Sequence, residues 1–324
     1  MDKDLKDILA PLDQHLRRVD EEIQKRLRTG IPVIDASALH LFLSGGKRIR
    51  ASLVILSSGL RGEIPRGIIE LAAATEIVHA SSLIHDDIID QSMFRRGNIT
   101  VPKKWGNKVA VLVGDFMYAV ALNTAVQDGD PAIFPLMVVG TKDMVMGELC
   151  QLEYADLDKA RREHYLTIIE LKTARFMASC TRLGATKSGL PEEEREIMYQ
   201  FGLNLGFAFQ IIDDTLDIMQ ASEQVGKDVG SDFKDGKITL PFLHLIETGG
   251  SGDLERLKRY IEKPTPEGWM EIKKRLVDIG SIEYTVRFAA DYIEKAREIL
   301  KRFPDSQFRT ILFELSDFLL GRTY

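Results

Sequence analysis

Two stretches decide the fold: SSLIHDDIID at residues 81–90 and FQIIDDTLDI at residues 209–218. Each places an Asp-Asp-x-x-Asp pattern inside an apolar run whose aliphatic residues recur at three- and four-residue spacing, the period of a helix packed on one face. On a helix, residues i and i+4 lie about 40° apart, so Asp86 with Asp90, and Asp213 with Asp217, share a face. Leu83, Ile84, Ile88 and Ile89 flank the first set, and Ile211, Ile212, Leu216 and Ile218 the second. Carboxylates set among such residues are expected to point into a cleft. One copy could equally be a solvated acidic face, but two copies in apolar helices argue for a divalent-metal clamp.

The chemistry follows from charge. Carboxylates crowded in one cavity repel and raise each other's pKa. Hard cations relieve that repulsion, and an all-oxygen donor set suits Mg²⁺, which keeps several waters and bridges carboxylates to substrate phosphates. An EF-hand is excluded, because neither segment has its glycine or its alternation of ligands.

The same periodicity continues outward through Ile68–Ile84, Ile168–Leu183, Ile197–Ile212 and Phe308–Leu320. Convincing period-two strands are missing, and the breaks are short, such as Gly59–Pro65 and Gly184–Pro191. This predicts an all-α single-domain helical bundle around a deep central cavity over residues 1–324, with sites built in the core from facing helices. Its motifs fall in about residues 40–245, and residues 250–324 are amphipathic helices expected to pack. The two acidic pentapeptides hint at distant internal duplication.

Composition narrows the classes. The chain has 324 residues, 44% of them hydrophobic, and a formal charge of −6. That balance argues against a nucleic-acid partner, which would need clustered Lys and Arg. Any anionic substrate must then be met by local cations or metal ions. Cys150 and Cys180 cannot form a disulfide framework and read as buried free thiols in a reducing compartment. The charged N-terminus lacks an apolar signal core. The most apolar stretch, Val109–Leu122, is broken by Asp115 and is expected to be too short to span a bilayer. A cytoplasmic location is expected.

Cations surround the acidic segments in the sequence. Ser44-Gly45-Gly46-Lys47-Arg48-Ile49-Arg50 opens a helix, so glycines, a helix N-terminus, Lys47 and Arg50 together suit an anion. It is not a Walker A loop. Arg95 and Arg96 follow the first acidic motif and could grip a phosphate in bidentate fashion, or merely offset neighbouring acids. Lys172 with Thr173, Lys227 and Lys237 add donors beside turns. His79 lies two turns before Asp86 on roughly the same face and is a candidate diphosphate contact. His85 could be a metal ligand or a hydrogen-bonded structural histidine. Gly202-x-x-x-Gly206 is expected to permit close helix packing.

In this order GGKRIRA, EIVHASSLIHDDIIDQSMFRRGNIT, VLVGDFMYA, Lys172-Thr173-Ala174, FQIIDDTLDI and GKITLP resemble the trans-isoprenyl (polyprenyl) diphosphate synthases, with a pattern closest to medium- and long-chain members. The resemblance covers about residues 40–245. It implies condensation of isopentenyl diphosphate, head to tail, with an allylic diphosphate, usually in a homodimer, although a heteromer is possible. It implies Mg²⁺, three ions with bound diphosphate, held by Asp86, Asp90 and Asp213 with Asp87, Asp214 and Asp217 in support. Arg95, Lys172, Thr173, Gln210, Lys227 and Lys237 would steady the allylic diphosphate. Lys47, Arg50, His79 and Arg96 would bind isopentenyl diphosphate. One departure is Ala51, where the family usually has proline.

The implied chemistry needs no side-chain nucleophile. Charge stabilises the departing diphosphate, the double bond of isopentenyl diphosphate attacks the allylic cation, and the departing diphosphate takes the proton. In the family the residues one turn before the first acidic motif meet the growing chain. Here these are Ser81 and Ser82, which leave the cavity open and imply a product beyond fifteen carbons; Met117 and Leu122 are the next candidates for a floor. Membrane contact would be at most transient, for product release. Alternatives are a synthase of farnesyl or geranylgeranyl length, the catalytic half of a heteromeric synthase, and a class I terpene cyclase. A cyclase has no use for the Gly-Gly-Lys-Arg loop, and a non-catalytic subunit typically loses the acidic motifs.

Overall fold

The computed structural model describes residues 4–43, 45–220, 233 and 237–321. Among the described residues the chain is helical nearly throughout. The helices are α1 (Leu5–Leu9), α2 (Asp13–Leu27), α3 (Pro32–Leu43), α4 (Ile49–Ser58), α5 (Ile68–Ile89), α6 (Val101–Trp105), α7 (Asn107–Gln127), α8 (Ile133–Glu153), α9 (Arg162–Ile169), α10 (Arg175–Lys187) and α11 (Glu192–Gln220). After them come α12 (Leu240–Gly249), α13 (Ser251–Glu262), α14 (Pro266–Asp278), α15 (Ser281–Leu300) and α16 (Gln307–Gly321). The all-α bundle expected from the apolar spacing is what the chain forms.

The acidic helices are the central ones. Helix α5 is apolar almost all round, and Leu71, Ala72, Ala74, Ile77, Val78 and Ile84 are all buried. A helix with that pattern must be enclosed by others, and α5 packs against α2, α4 and α7. Helix α11 starts after Pro191 with Glu192, Glu193 and Glu194, whose charges suit a helix N-terminus. It then buries Met198, Phe201, Leu205, Ala208 and Ile212 at three- and four-residue steps, against α10 and α15. Each fully buried large side chain contributes about 1.5–3 kcal/mol.

Gly202 and Gly206 bring α11 close to its neighbours, as their spacing suggests. A Cβ at Gly202 would sit 2.7 Å from Ala178 Cα, and one at Gly206 2.5 Å from Ala174 Cα. No side chain fits there, so the two backbones touch. This contact sets how near α11 brings Gln210 and Asp213 to residues 172–173.

Two features differ from the sequence reading. A short antiparallel hairpin, β1 (Phe94–Arg95) with β2 (Asn98–Ile99), follows α5. Its two-residue turn, Arg96-Gly97, has positive φ at both positions, 51° and 78°, the requirement of a type I′ turn. Strands of two residues are too short to show alternation. The apolar stretch Val109–Leu122, expected to be too short to span a bilayer, belongs to α7, which is 21 residues long and contains an 18-residue window of mean hydropathy 1.7, long and apolar enough by length and composition. One of its faces packs on α5, burying Ala110, Val113, Met117 and Ala121, while Val111, Leu112 and Val126 are exposed.

Beside the main core, a smaller cluster joins Phe233, Phe242, Tyr260 and Trp269 to aliphatic residues of α12–α14. The Phe233 and Phe242 rings stack 4.2 Å apart. This cluster lies next to the C-terminal end of α11, where Ile218 joins it.

Candidate active site

Asp86 of α5 and Asp213 of α11 line one cavity of about 870 Å³. Around them stand Arg95, Lys172, Thr173 and Gln210, and beyond these Lys47, Arg48, Arg50, His79 and Arg96. Apolar lining comes from Leu83, Met144, Leu149 and Phe209. The cavity thus takes one aspartate from each acidic segment and most of the expected cations, while Asp90 is not among its lining residues and Lys237 lines a neighbouring recess with Asp214.

Lys172 and Thr173 lie in a π-helical turn, Glu170–Ala174, that joins α9 to α10. Such turns widen the helix locally and often mark functional sites. The turn is pressed from one side by α8, where a Cβ at Gly147 would lie 2.5 Å from Lys172 N. From the other side α11 meets it, so the Thr173 hydroxyl donates to Gln210 Oε1 at 2.8 Å. Gln210 Nε2 in turn donates to Asp214 Oδ1 at 2.8 Å, and the Tyr165 hydroxyl donates to Asp214 Oδ2 at 2.7 Å. Burial and the Asp214 charge keep the Tyr165 phenol protonated, with its pKa well above the usual range. The Lys172 ammonium contacts Glu148 and donates to Gln151 Oε1 at 3.3 Å.

Burial pushes the Asp86 carboxyl up to about 6, with Glu148 and Asp90 adding to the rise and Lys172 and Arg95 opposing it. Asp90 ends α5 and accepts from Lys237 Nζ at 3.1 Å. That ion pair joins the end of α5 to the segment that leads into α12.

The other wall is cationic. Arg96, held by its positive-φ turn, donates to Gly45 O at 2.8 Å. Arg48 also has a positive φ, 48°, a backbone state with a cost of order 1–3 kcal/mol for a residue with a side chain. Burial holds Arg50 and Arg96 below the usual arginine range, and the Glu76 carboxylate opposes that shift. His79 is pushed well below its ordinary value by burial and by the charges of Arg50, Arg96, Arg95 and Arg48. It is therefore a neutral hydrogen-bonding group and not a cation.

Several expected residues lie elsewhere. Asp87 is fully buried, about 100° around α5 from Asp86, and accepts from Arg95 Nε at 2.7 Å. Asp87 is not among the residues lining the cavity. Asp217, with Asp214, lines a small recess beside Phe242 and Trp269, because α12 and α14 pack over that turn of α11. Ser82 lines the cavity, whereas Ser81 is buried and donates to Gly114 O at 2.8 Å. Met117 is buried in the core and Leu122 packs against it; the α7 residue on the cavity wall is Tyr118. Lys227 and Ser44 lie outside the described residues.

The sequence reading also missed Tyr118, Glu148 and Glu76, all on the cavity wall. Tyr118 belongs to a motif already marked, one turn after Gly114. The two glutamates carry no local signal, since an isolated acid on a helix usually faces water.

No three His, Cys, Asp or Glu side chains among the described residues close into a ready-made metal cage. The donors still fit a hard divalent ion that takes its remaining ligands from water and diphosphate. Asp86 and Asp213 present oxygen only into the shared cavity, and a cation there would offset the burial, and the lesser repulsion from Glu148 and Asp90, that raise Asp86.

The polyprenyl synthetase family profile matches residues 31–278. The short-chain isoprenyl diphosphate synthase of Methanothermobacter thermautotrophicus is 34% identical over 95% of this chain and 98% of its own length. The octaprenyl diphosphate synthase of Haemophilus influenzae is 30% identical, covering 96% of this chain and 95% of its own. A polyprenyl synthase from Caulobacter crescentus, solved with calcium and isoprenyl diphosphate, superposes with a TM-score of 0.93 at 33% identity, covering 100% of this chain and 99% of its own. Fold, site and sequence together define a prenyl-chain synthase of the all-α kind. This chain belongs to the polyprenyl synthetase family.

Proposed function

We propose that the protein is an Mg²⁺-dependent prenyltransferase that extends an allylic diphosphate with isopentenyl diphosphate to a medium or long all-trans chain. The observation that carries this reading is the cavity that holds Asp86 and Asp213 together with Lys47, Arg50, Arg95, Arg96 and Lys172. A cyclase, which binds one diphosphate, has no use for the loop that carries Lys47 and Arg50.

Asp86, Asp90 and Asp213 would hold Mg²⁺, which when bound supplies positive charge to the departing diphosphate. Lys172, Arg95 and Lys237 add fixed charge at the same group, and Thr173 and Gln210 orient it. Lys47, Arg50, Arg96 and neutral His79 hold isopentenyl diphosphate with its double bond toward the allylic carbon. Apolar neighbours such as Phe209 and Met144 exclude water from the cation. The proton lost from the new chain leaves with diphosphate.

Chain length is set by what the wall lets past. Ser82 is small, and the cavity reaches Leu149 and Leu152 on α8, which supports a product beyond fifteen carbons. A second copy of the chain is the proposed cover for the exposed apolar residues Leu112 and Val126 of α7 and Val139 and Met146 of α8. The free thiols Cys150 and Cys180 suit a reducing, cytoplasmic setting.

Calorimetric titration with inorganic diphosphate tests the metal role. Binding should tighten by about ten-fold or more when Mg²⁺ is added, and Asp86→Ala with Asp213→Ala should abolish that gain. Equal affinity with and without Mg²⁺ would remove the clamp.

A further inference from the structure

Helix α4 starts without the usual help. Its N-cap residue, Arg48, is in the left-handed region and makes no side-chain capping bond. The first N–H groups of a helix lack partners within it, and the third is one that a capping side chain normally takes. That third residue is Ala51, fully buried. Its N–H donates to Glu76 Oε1, on α5, at 3.1 Å. Where the resemblance leads one to expect proline, which has no N–H, this chain has a donor with a buried carboxylate on it.

Glu76 is only 5% exposed and lines the cavity. Its other oxygen lies 3.9 Å from Arg48 Nη1. Its charge supports ionised Arg50 and Arg96 against burial. Arg50 Nε is buried with no hydrogen-bond partner, and its guanidinium sits 5.9 Å from the Phe176 ring centroid. The nearby Glu76 and Asp213 carboxylates are among the charges that offset the burial of Arg50. The bond also ties α4, which carries Arg50, to α5, which carries His79 and Asp86.

We propose that Glu76, anchored by the Ala51 N–H, is a positioning residue that aligns the arginines of the isopentenyl diphosphate subsite. The inference rests on the assignment of that subsite given above. Glu76 touches neither diphosphate; it fixes where Arg50 and Arg96 meet one.

Steady-state kinetics with Mg²⁺, farnesyl diphosphate and isopentenyl diphosphate test this. Ala51→Pro deletes the anchoring N–H and leaves the carboxylate; Glu76→Gln keeps an acceptor and removes the charge. Both should raise KM for isopentenyl diphosphate by about ten-fold, the scale of one charge-assisted hydrogen bond. Both should keep kcat and KM for farnesyl diphosphate within about two-fold. Ala51→Gly, which retains the N–H, should keep the native KM. An unchanged KM for isopentenyl diphosphate in either folded variant overturns the inference, as does an equal rise for both substrates. Circular dichroism reports folding, and if Ala51→Pro does not fold, Glu76→Gln decides by the same criterion. A native chain that binds farnesyl diphosphate but never turns over isopentenyl diphosphate overturns the subsite assignment itself, and the inference with it.

Discussion

Arg95 Nε lies 2.7 Å from Asp87 Oδ1, and the Asp87 side chain is wholly buried. The second aspartate of the first acidic motif is therefore a structural anchor, one position away from an aspartate that faces the cavity. Removing one partner of a buried ion pair strands the other, so Asp87→Ala should lose about 3–5 kcal/mol of stability. Asp86→Ala should keep or raise the melting temperature, because ionising a buried carboxylate opposes folding, while activity falls about 10²–10³-fold. Thermal melts beside initial rates separate the two. A destabilised Asp86→Ala and a neutral Asp87→Ala would reverse the assignment.

His79 gives a pH dependence of defined sign. Its pKa is depressed in the folded state by burial and four arginines, so the unfolded chain takes up the proton first as pH falls below the ordinary value of 6.5. Stability contributed by neutral His79 is present above that value and declines as pH drops through it. The native melting temperature should therefore fall more steeply between pH 7.5 and about 5.5 than that of His79→Gln. Parallel curves for the two proteins would contradict a neutral, cation-surrounded histidine.

Product length should respond at Ser82 and Tyr118, which line the cavity. Ser82→Phe fills that space and should shorten the product by one or more isoprene units. Tyr118→Ala opens the α7 wall and should lengthen it. Ser81→Phe is a different case: Ser81 is buried against Gly114, so phenylalanine there overpacks the core, at a cost of about 1–3 kcal/mol. Chain-length analysis of labelled products decides, and an unchanged distribution in both Ser82→Phe and Tyr118→Ala would remove this account of the wall.

Much of this site was legible because helical period and charge are local. Asp86 and Asp213 could be read from spacing, Lys47, Arg50 and Arg95 from local charge taken with the family resemblance, and Gly202 and Gly206 from their separation. What was hidden depends on contacts between distant segments. The direction of Asp87 depends on Arg95 coming back in a hairpin of two-residue strands. The division between Ser81 and Ser82 depends on the carbonyl of Gly114. The departure at Ala51 was visible, but its partner, Glu76, is 25 residues away on another helix. The π-helical turn at Lys172 carries no compositional mark, since helices α8 and α11 pack on it from outside.

Incubating the purified protein with Mg²⁺, farnesyl diphosphate and labelled isopentenyl diphosphate, and then sizing the product, tests the central claim most directly. The expected result is labelled prenyl diphosphate longer than fifteen carbons, formed only with the metal ion present and lost in Asp213→Ala. Absence of any labelled product across Mg²⁺ concentrations, from a folded and assembled protein, would contradict it.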